Sequence, residues 1–568
     1  MSSASSARLG TEIPRGEPHA LSVSLPTWSD NVAYVSGDES VINAMSTGYP
    51  RFFFHKKLLQ LSEIILQNVK VAGSLSLLFP TNHAARECVA FLICCADAAY
   101  ATAFAIHAVH IPLDETARMR AGRDTLDAYA VSFPPELKKL GKSFWQHTGM
   151  GITSRYAEDC LANIENPGVR YETVPLNSAQ TGREINEKLY PEVNSMAQIL
   201  QKRIASLALS GKSSDPRIES PLSAIGQSVL GAVDVYLYPS GMSAIWHAHQ
   251  LVMSLKPGLK LVCFGFPYTD TVKVLEKWGP GCIFYGKHPD ENLRELEAFL
   301  QTTPTPVAAL FCESPSNPLL QSCNLPRLRE LADTYNFLIV VDDTVGTFVN
   351  VNVLEYVDIV ATSLSKLFSG GANVLGGSLV FNPSCKFYSK LKRLQSSLYK
   401  NDYYLPDLIQ MEKNSRDFEH RVHQVDANAR AICHFLRSRC LSFPQSSAQK
   451  LAIKDVFYPE WVTRENYDLV RRPGREDNFG HLFSLTFVSL EASEAFYDAL
   501  SCAKGPSLGT NFTLCCPYTL LAHWGEREWA AEFGVEEGIV RVSTGMENVQ
   551  VLMKWFESAV KAAEATLA

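Results

Sequence analysis

The sequence predicts an α/β protein built on a mostly parallel sheet with helices on both faces. Three observations lead there. Short apolar runs recur between residues 233 and 381, and helix-patterned stretches separate them. Those runs lack the alternation of apolar and polar residues that marks a half-solvated strand, so both of their faces are covered. The chain has 568 residues, more than one hydrophobic core organises, so further domains must flank that sheet.

Residues 1–30 are rich in Ser, Pro and Gly and read as disordered or extended. Residues 31–165 alternate helix-like and strand-like runs, such as "FHKKLLQLSEIILQNV" before "SLSLLFP", and read as an N-terminal α/β extension. The polar stretch "NPGVRYETVPLNSAQTGRE" reads as a linker. A helix follows, with Met196, Leu200, Ile204 and Leu207 at helical spacing, and "GKSSDPRIESPLS" is a loop. Residues 186–385 then form the large domain. "VDVYLYPS", "KLVCFGFP", "VAALFCESP", "FLIVVDDT", "VDIVATS" and "GGSLVFNP" are its strands, with helices such as "GMSAIWHAHQLVMSL" and "LPRLRELADTYN" between them. Residues 386–568 begin helical, return to strands such as "HLFSLTFVSL", and read as a smaller C-terminal α/β domain.

The formal net charge is −7, with 20% charged and 46% hydrophobic residues. This leaves no basic footprint for nucleic acid and no polybasic membrane patch. No run reaches the roughly 20 apolar residues of a membrane span. The first twenty residues lack the apolar core of a secretory signal. There are 14 cysteines without a CxxC pair, read as small buried hydrophobes in a reducing compartment, with a cytoplasmic location expected. His107, His110, His247 and His249 show no third ligand at metal spacing and read as core or interface histidines, so no metal is expected.

In such a sheet the ligand crevice lies outside the carboxyl ends of the strands. Four stretches fall there. In "YPSGMSAIW" a strand ends and a helix begins near Gly241 and Met242, where backbone N–H groups suit a phosphate. In "GFPYTDT", Tyr268 follows a strand and can stack on a planar ligand. In "FLIVVDDT", Asp342 and Asp343 follow four apolar residues, and a carboxylate there is costly unless paired. In "ATSLSKLFSGG", Lys366 stands between serines at the end of another strand, one short crossover beyond Asp342, with Ser363 and Ser365 beside it. Together they describe a planar ring with a phosphate at one edge, a basic nitrogen at the other, and an aldehyde that takes an amine. That ligand is pyridoxal 5'-phosphate (PLP), with lysine forming the Schiff base and a carboxylate keeping the ring nitrogen protonated.

The segments "STGYPRFFFH", "YPSGMSAI", "ESPSNPLL", "VVDDT", "SLSK", "GPSLGTNFTLCCPYTLLAHW" and "VRVSTGMEN" occur in this order along the chain. In that order the chain resembles the Cys/Met-metabolism family of PLP enzymes, most closely its long fungal cystathionine γ-synthase-like branch. The resemblance covers most of the chain and implies the aspartate-aminotransferase-like fold (fold type I). It further implies that Lys366 carries the cofactor, Asp342 pairs with its ring nitrogen and Tyr268 stacks on it. Gly241, Met242, Ser363 and Ser365 would hold the phosphate. Asn317 and Arg541 would hold the substrate α-carboxylate, with Ser507 nearby, since a planar guanidinium matches a carboxylate bidentately. Family sites lie at a subunit interface, which implies a homodimer or homotetramer. One position departs: the family's Tyr-x-Arg motif is matched by "LYPEVNS", where Tyr190 is a possible partner-subunit contact but Glu192 stands in place of the arginine.

The expected reaction is PLP-dependent γ-replacement on an activated homoserine ester, such as O-acetyl-L-homoserine, through a vinylglycine ketimine. The nucleophile stays open: cysteine, another thiol, or a carbon nucleophile such as a β-keto acid or ester enolate. A cystathionine lyase or γ-eliminase of the same fold, and a non-catalytic scaffold, are the alternatives.

Overall fold

The structure is a computed structural model that describes residues 8–50, 52–176, 190–209, 230–303, 306–443 and 450–567. Residues 8–27 run mainly extended. They include a two-stranded ribbon, β1 (Glu12–Ile13) and β2 (Ser22–Val23). Leu21, Ser22, Val23 and Leu25 are buried, and the Leu21 N–H donates to the Ala372 carbonyl at 2.7 Å. Ile13 and Leu25 also join a hydrophobic cluster with residues of the C-terminal unit, contacts with distant segments that composition does not report.

The N-terminal unit is a four-stranded antiparallel sheet of β3 (Leu75–Phe79), β4 (Ala105–Pro112), β5 (Thr125–Phe133) and β6 (Arg170–Val174), in the order β3-β5-β4-β6. β6 corrects the linker reading of 166–184. It pairs with β4 through its backbone, and only Val174 is buried, so its side chains carry no apolar pattern to read. The rest of that linker, 177–184, and the loop expected over 211–223 lie outside the described residues. Cys94 and Cys95 also depart from expectation. They end the helix Asn82–Cys95 on its exposed side, whereas Cys88 of the same helix is buried. His107 bonds Thr173 and Ser132, and His110 bonds Asp127, all within this sheet.

The central sheet has seven strands: β7 (Val235–Tyr238), β8 (Leu261–Phe264), β9 (Cys282–Tyr285), β10 (Ala309–Glu313), β11 (Leu338–Asp342), β12 (Ile359–Ser363) and β13 (Gly377–Phe381). Their order is β7-β13-β12-β11-β10-β8-β9, and only β13 runs against the rest. The crossover into β11 shows why the chain folds locally as it does. Asn324 caps the helix Leu325–Tyr335, a proline sits in its first turn, and Asn336 ends it at φ 58°. The apolar "LIVV" that follows is buried on both faces.

The C-terminal unit holds β14 (Ile453–Phe457), β15 (Leu482–Phe487), β16 (Ala503–Lys504), β17 (Leu514–Pro517) and β18 (Val540–Ser543), in the order β14-β15-β18-β17-β16. Its core is continuous with one face of the central sheet. The N-terminal unit docks through aromatic packing: Phe91 stacks on Trp278 at 4.3 Å, and Trp278 meets Trp246 edge-on at 4.5 Å. Among the described residues no helix is long and apolar enough to cross a membrane.

Candidate active site

The parallel register brings three strand ends together. Glu313 at the end of β10 lies opposite Asp342 at the end of β11, and Ser363 ends β12 beside them. They open on one cavity of about 200 Å³, also lined by Lys366 and Arg541. Asp342 is half-exposed to this cavity yet lies deep in the molecule, and burial pushes its carboxyl up despite the hydrogen bond from the Thr344 N–H at 2.9 Å. Glu313 is pushed further, to about 8, by burial and then by Asp342. It accepts the Tyr268 N–H at 2.6 Å and the Asn317 N–H at 2.9 Å, and so fixes the backbone of both.

Lys366 donates to Ser507 Oγ at 3.3 Å, and its Nζ lies 4.4 Å from the centroid of the Tyr49 ring. Arg541, on β18, donates to the Asn317 side-chain oxygen, reaches Cys516 Sγ at 3.6 Å and stacks over Tyr518 at 4.6 Å. The carboxylate-gripping pair expected from the large and C-terminal domains thus meets across their boundary. At the helix Gly241–Leu255, the Ser240 hydroxyl accepts the Ser243 N–H at 3.0 Å. The N–H groups of Gly241 and Met242 lie in a first turn without intrahelical partners, and both residues line the cavity. Gly241 is required here: a Cβ would stand 2.7 Å from the Ser363 side chain. Ser363 N–H donates to Thr344 Oγ1 at 2.8 Å, and Ser365 Oγ accepts the Gly376 N–H at 2.9 Å, tying both serines to the cavity floor.

Residues 218–561 match the family described as "Cys/Met metabolism PLP-dependent enzyme". The chain belongs to that family. Residues 57–153 match a second description, "Fungal trans-sulfuration enzyme, N-terminal domain". A cystathionine gamma-synthase-like enzyme of Amanita muscaria is 43% identical, with 99% of this chain and 97% of that protein covered. The cystathionine gamma-synthase of Neurospora crassa is 37% identical over 98% of each. The crystal structure of cystathionine gamma synthase from Xanthomonas oryzae pv. oryzae superposes with a TM-score of 0.52 at 22% identity, covering 68% of this chain and 91% of that one, and shares the fold. This member of the Cys/Met-metabolism family is a PLP-dependent enzyme of fold type I, and γ-substitution is the family's typical reaction.

The cavity fits the cofactor. Among the described residues no ion pair with Asp342 is found, and its carboxylate sits at a buried strand end offset by Thr344, through the hydroxyl and the N–H. A protonated ring nitrogen is the partner such a group lacks. The first-turn N–H groups at Gly241 and Met242 suit a phosphate.

Of the residues expected from the sequence, Lys366, Tyr268, Asp342, Asn317 and Arg541 line this cavity, as do Gly241, Met242, Ser363 and Ser365. Ser507 reaches it through Lys366. Tyr190 stands elsewhere: its hydroxyl donates to Asp124 of the same chain at 3.0 Å, at the start of the helix Pro191–Leu209, and Glu192 is exposed. Sequence reasoning missed Glu313, Thr344 and Tyr49. Glu313 carries the same signal as Asp342, an acid after an apolar run. Tyr49 carries none, because only the fold brings it to Lys366.

Proposed function

We propose that this enzyme catalyses γ-replacement on an activated homoserine ester such as O-acetyl-L-homoserine. Arg541 and Asn317 hold the substrate carboxylate, with Ser507 beside them. PLP supplies the electron sink that makes the substrate's Cα and Cβ protons removable. Gly241, Met242, Ser363 and Ser365 hold its phosphate, Asp342 its ring nitrogen and Tyr268 its face. Lys366 would carry the cofactor, and its amine would move the substrate's proton at Cα and then at Cβ. Loss of the Cβ proton expels the γ-carboxylate. A nucleophile then forms the new bond at Cγ, and Lys366 returns the protons. Cysteine, another thiol or an enolate can serve as that nucleophile.

The observation that carries this reading is the position of Lys366 Nζ, 3.3 Å from Ser507 and in one cavity with Arg541. An amine and a carboxylate clamp share a chamber that still has a wall of N-terminal residues for a second substrate. A homodimer or homotetramer is proposed on the family resemblance.

The test is to incubate the enzyme with O-acetyl-L-homoserine and each class of nucleophile and to weigh the products. Adduct formation with one class supports the reading. Acetate release with 2-oxobutyrate and no adduct from any class would overturn it in favour of γ-elimination.

A further inference from the structure

Away from Arg541, the cavity is walled by the N-terminal parts of the same chain. Tyr49, Phe52, Phe53, Leu58 and Trp145 give it an apolar side. Trp145 Nε1 donates to the Pro50 carbonyl at 3.2 Å, which fixes that wall. Polar residues interrupt it, His19, His55, Gln146, Thr153, Ser154 and Arg155, and of these His19 and Ser154 pair with each other. The His19 ring is buried, with Nδ1 3.0 Å from Ser154 Oγ and Nε2 3.0 Å from Glu158 Oε2. The other Glu158 oxygen accepts Lys57 Nζ, which keeps that carboxylate charged and oriented.

This geometry sets the tautomer. Burial and then the Arg155 charge hold His19 down at about 4, so its ring is neutral near pH 7. Facing a carboxylate, Nε2 carries the hydrogen, and Nδ1 is left with a lone pair. The Ser154 hydroxyl hydrogen must then point at Nδ1, which leaves the oxygen lone pairs to the cavity. Ser154 is itself pinned. It begins the helix Ser154–Asn163, whose cap Thr153 donates to Asp407 at 2.7 Å, and the next residue, Arg155, pairs with Asp407 and donates to the Asn373 carbonyl at 3.1 Å.

We propose that Ser154, His19 and Glu158 form a relay that takes the proton from the second substrate, and that this substrate is a carbon acid with an apolar body. The inference rests on the γ-replacement reading. The step balances: the acceptor's C–H bond breaks and its electron pair makes the new bond at Cγ. Ser154 Oγ takes the proton while passing its own to His19 Nδ1, and Glu158 holds the imidazolium. The departing carboxylate has already left with its bonding pair, and the relay resets by releasing the proton to water. Among the possible nucleophiles the walls favour the enolate of a β-keto ester. The aromatic side, Tyr49, Phe52, Phe53 and Trp145, suits the apolar body of such an acceptor.

Two measurements on the holoenzyme test it. In D₂O without amino-acid donor, deuterium exchange at the acidic carbon of ethyl acetoacetate should be faster with enzyme than in buffer. In S154A and H19Q that acceleration should fall about 10²-fold, and S154T, which keeps the hydroxyl, should recover part of it. With donor present, the same variants should release acetate at the wild-type rate but divert the remaining four-carbon skeleton from adduct to 2-oxobutyrate. A purely structural role would lower both together. Wild-type exchange and adduct yield in S154A would overturn the relay. Absence of any adduct from the wild type would instead defeat γ-replacement and leave the exchange result to judge the relay alone.

Discussion

Glu313 and Asp342 stand opposite each other in register at the ends of two neighbouring parallel strands, and both face the same cavity. Two carboxyl groups this close inside a protein resist ionising together. Burial first, and Asp342 second, move Glu313 to about 8, from an ordinary value near 4.5. Between those values the folded chain holds a proton that the unfolded chain has lost, so stability falls as pH rises through this window. Asp343, pushed up to about 7 by burial, adds a slope of the same sign at lower pH. Cofactor-free protein is therefore expected to melt at lower temperature at pH 8 than at pH 5.5. Glu313→Gln should flatten that slope. An unchanged slope in the variant, measured by thermal melts across this range, would count against the assignment.

The same variant should also cost about 1–3 kcal/mol at pH 7, because an amide nitrogen would replace one of the two oxygens that accept the Tyr268 and Asn317 N–H groups. Denaturant titration measures this. Loss of stability with intact substrate affinity would show that the Tyr268 and Asn317 backbones stay in place without Glu313.

Lys366→Ala should lower turnover by at least about 10³-fold, since the amine is asked both to carry the cofactor and to move two protons. Borohydride reduction of the wild type followed by peptide mapping should place the label on residue 366. A label on another lysine would sink the cofactor assignment regardless of the kinetics.

Much of this cavity was legible because its groups sit where local pattern announces them. Asp342 closes a buried apolar run, Gly241 opens a helix after a strand, and Lys366 follows a strand within a polar turn. Each signal spans fewer than about ten residues, the length over which a strand or helix terminus declares itself. The remainder depends on contacts between distant segments. Tyr49 meets Lys366, and Ser22 Oγ accepts the Ser507 N–H at 3.5 Å, across most of the chain. Nothing local in "STGYPRFFFH" reports a cation beneath its tyrosine. The edge strand β6 was illegible for another reason: its ladder is backbone, and backbone hydrogen bonds leave no mark on side-chain pattern.

Arg541→Lys keeps the charge and loses the planar fork. In the structure that fork already spends one arm on Asn317 and lies flat over Tyr518, neither of which an ammonium reproduces. A charged hydrogen bond is worth about 1.5–3 kcal/mol, so KM for the amino-acid substrate should rise about 10- to 150-fold with a smaller change in kcat. Steady-state kinetics decide it. A fall in kcat at constant KM would mean that the guanidinium acts on the reacting carbons and not on the carboxylate.

Trp278 ties the N-terminal unit to the large domain, and its loss should be felt in the cavity. Its ring lies flat on Phe91 and edge-on to Trp246, and its indole N–H donates to His147 Nδ1 at 3.0 Å. His147 belongs to the helix Lys138–Thr148, which also carries the cavity-lining Trp145. Trp278→Phe keeps the stacking and gives up the hydrogen bond, a cost of about 1 kcal/mol. Trp278→Ala removes a half-buried ring as well and should cost about 2–4 kcal/mol. Because the N-terminal unit supplies the apolar wall while Arg541 and Lys366 come from the other two, loosening this joint should weaken use of the second substrate more than use of the first. Measured separately, KM for the nucleophile should rise several times more than KM for the homoserine ester in Trp278→Ala. Equal rises would mean that the N-terminal unit supports the whole site and does not selectively shape its second compartment.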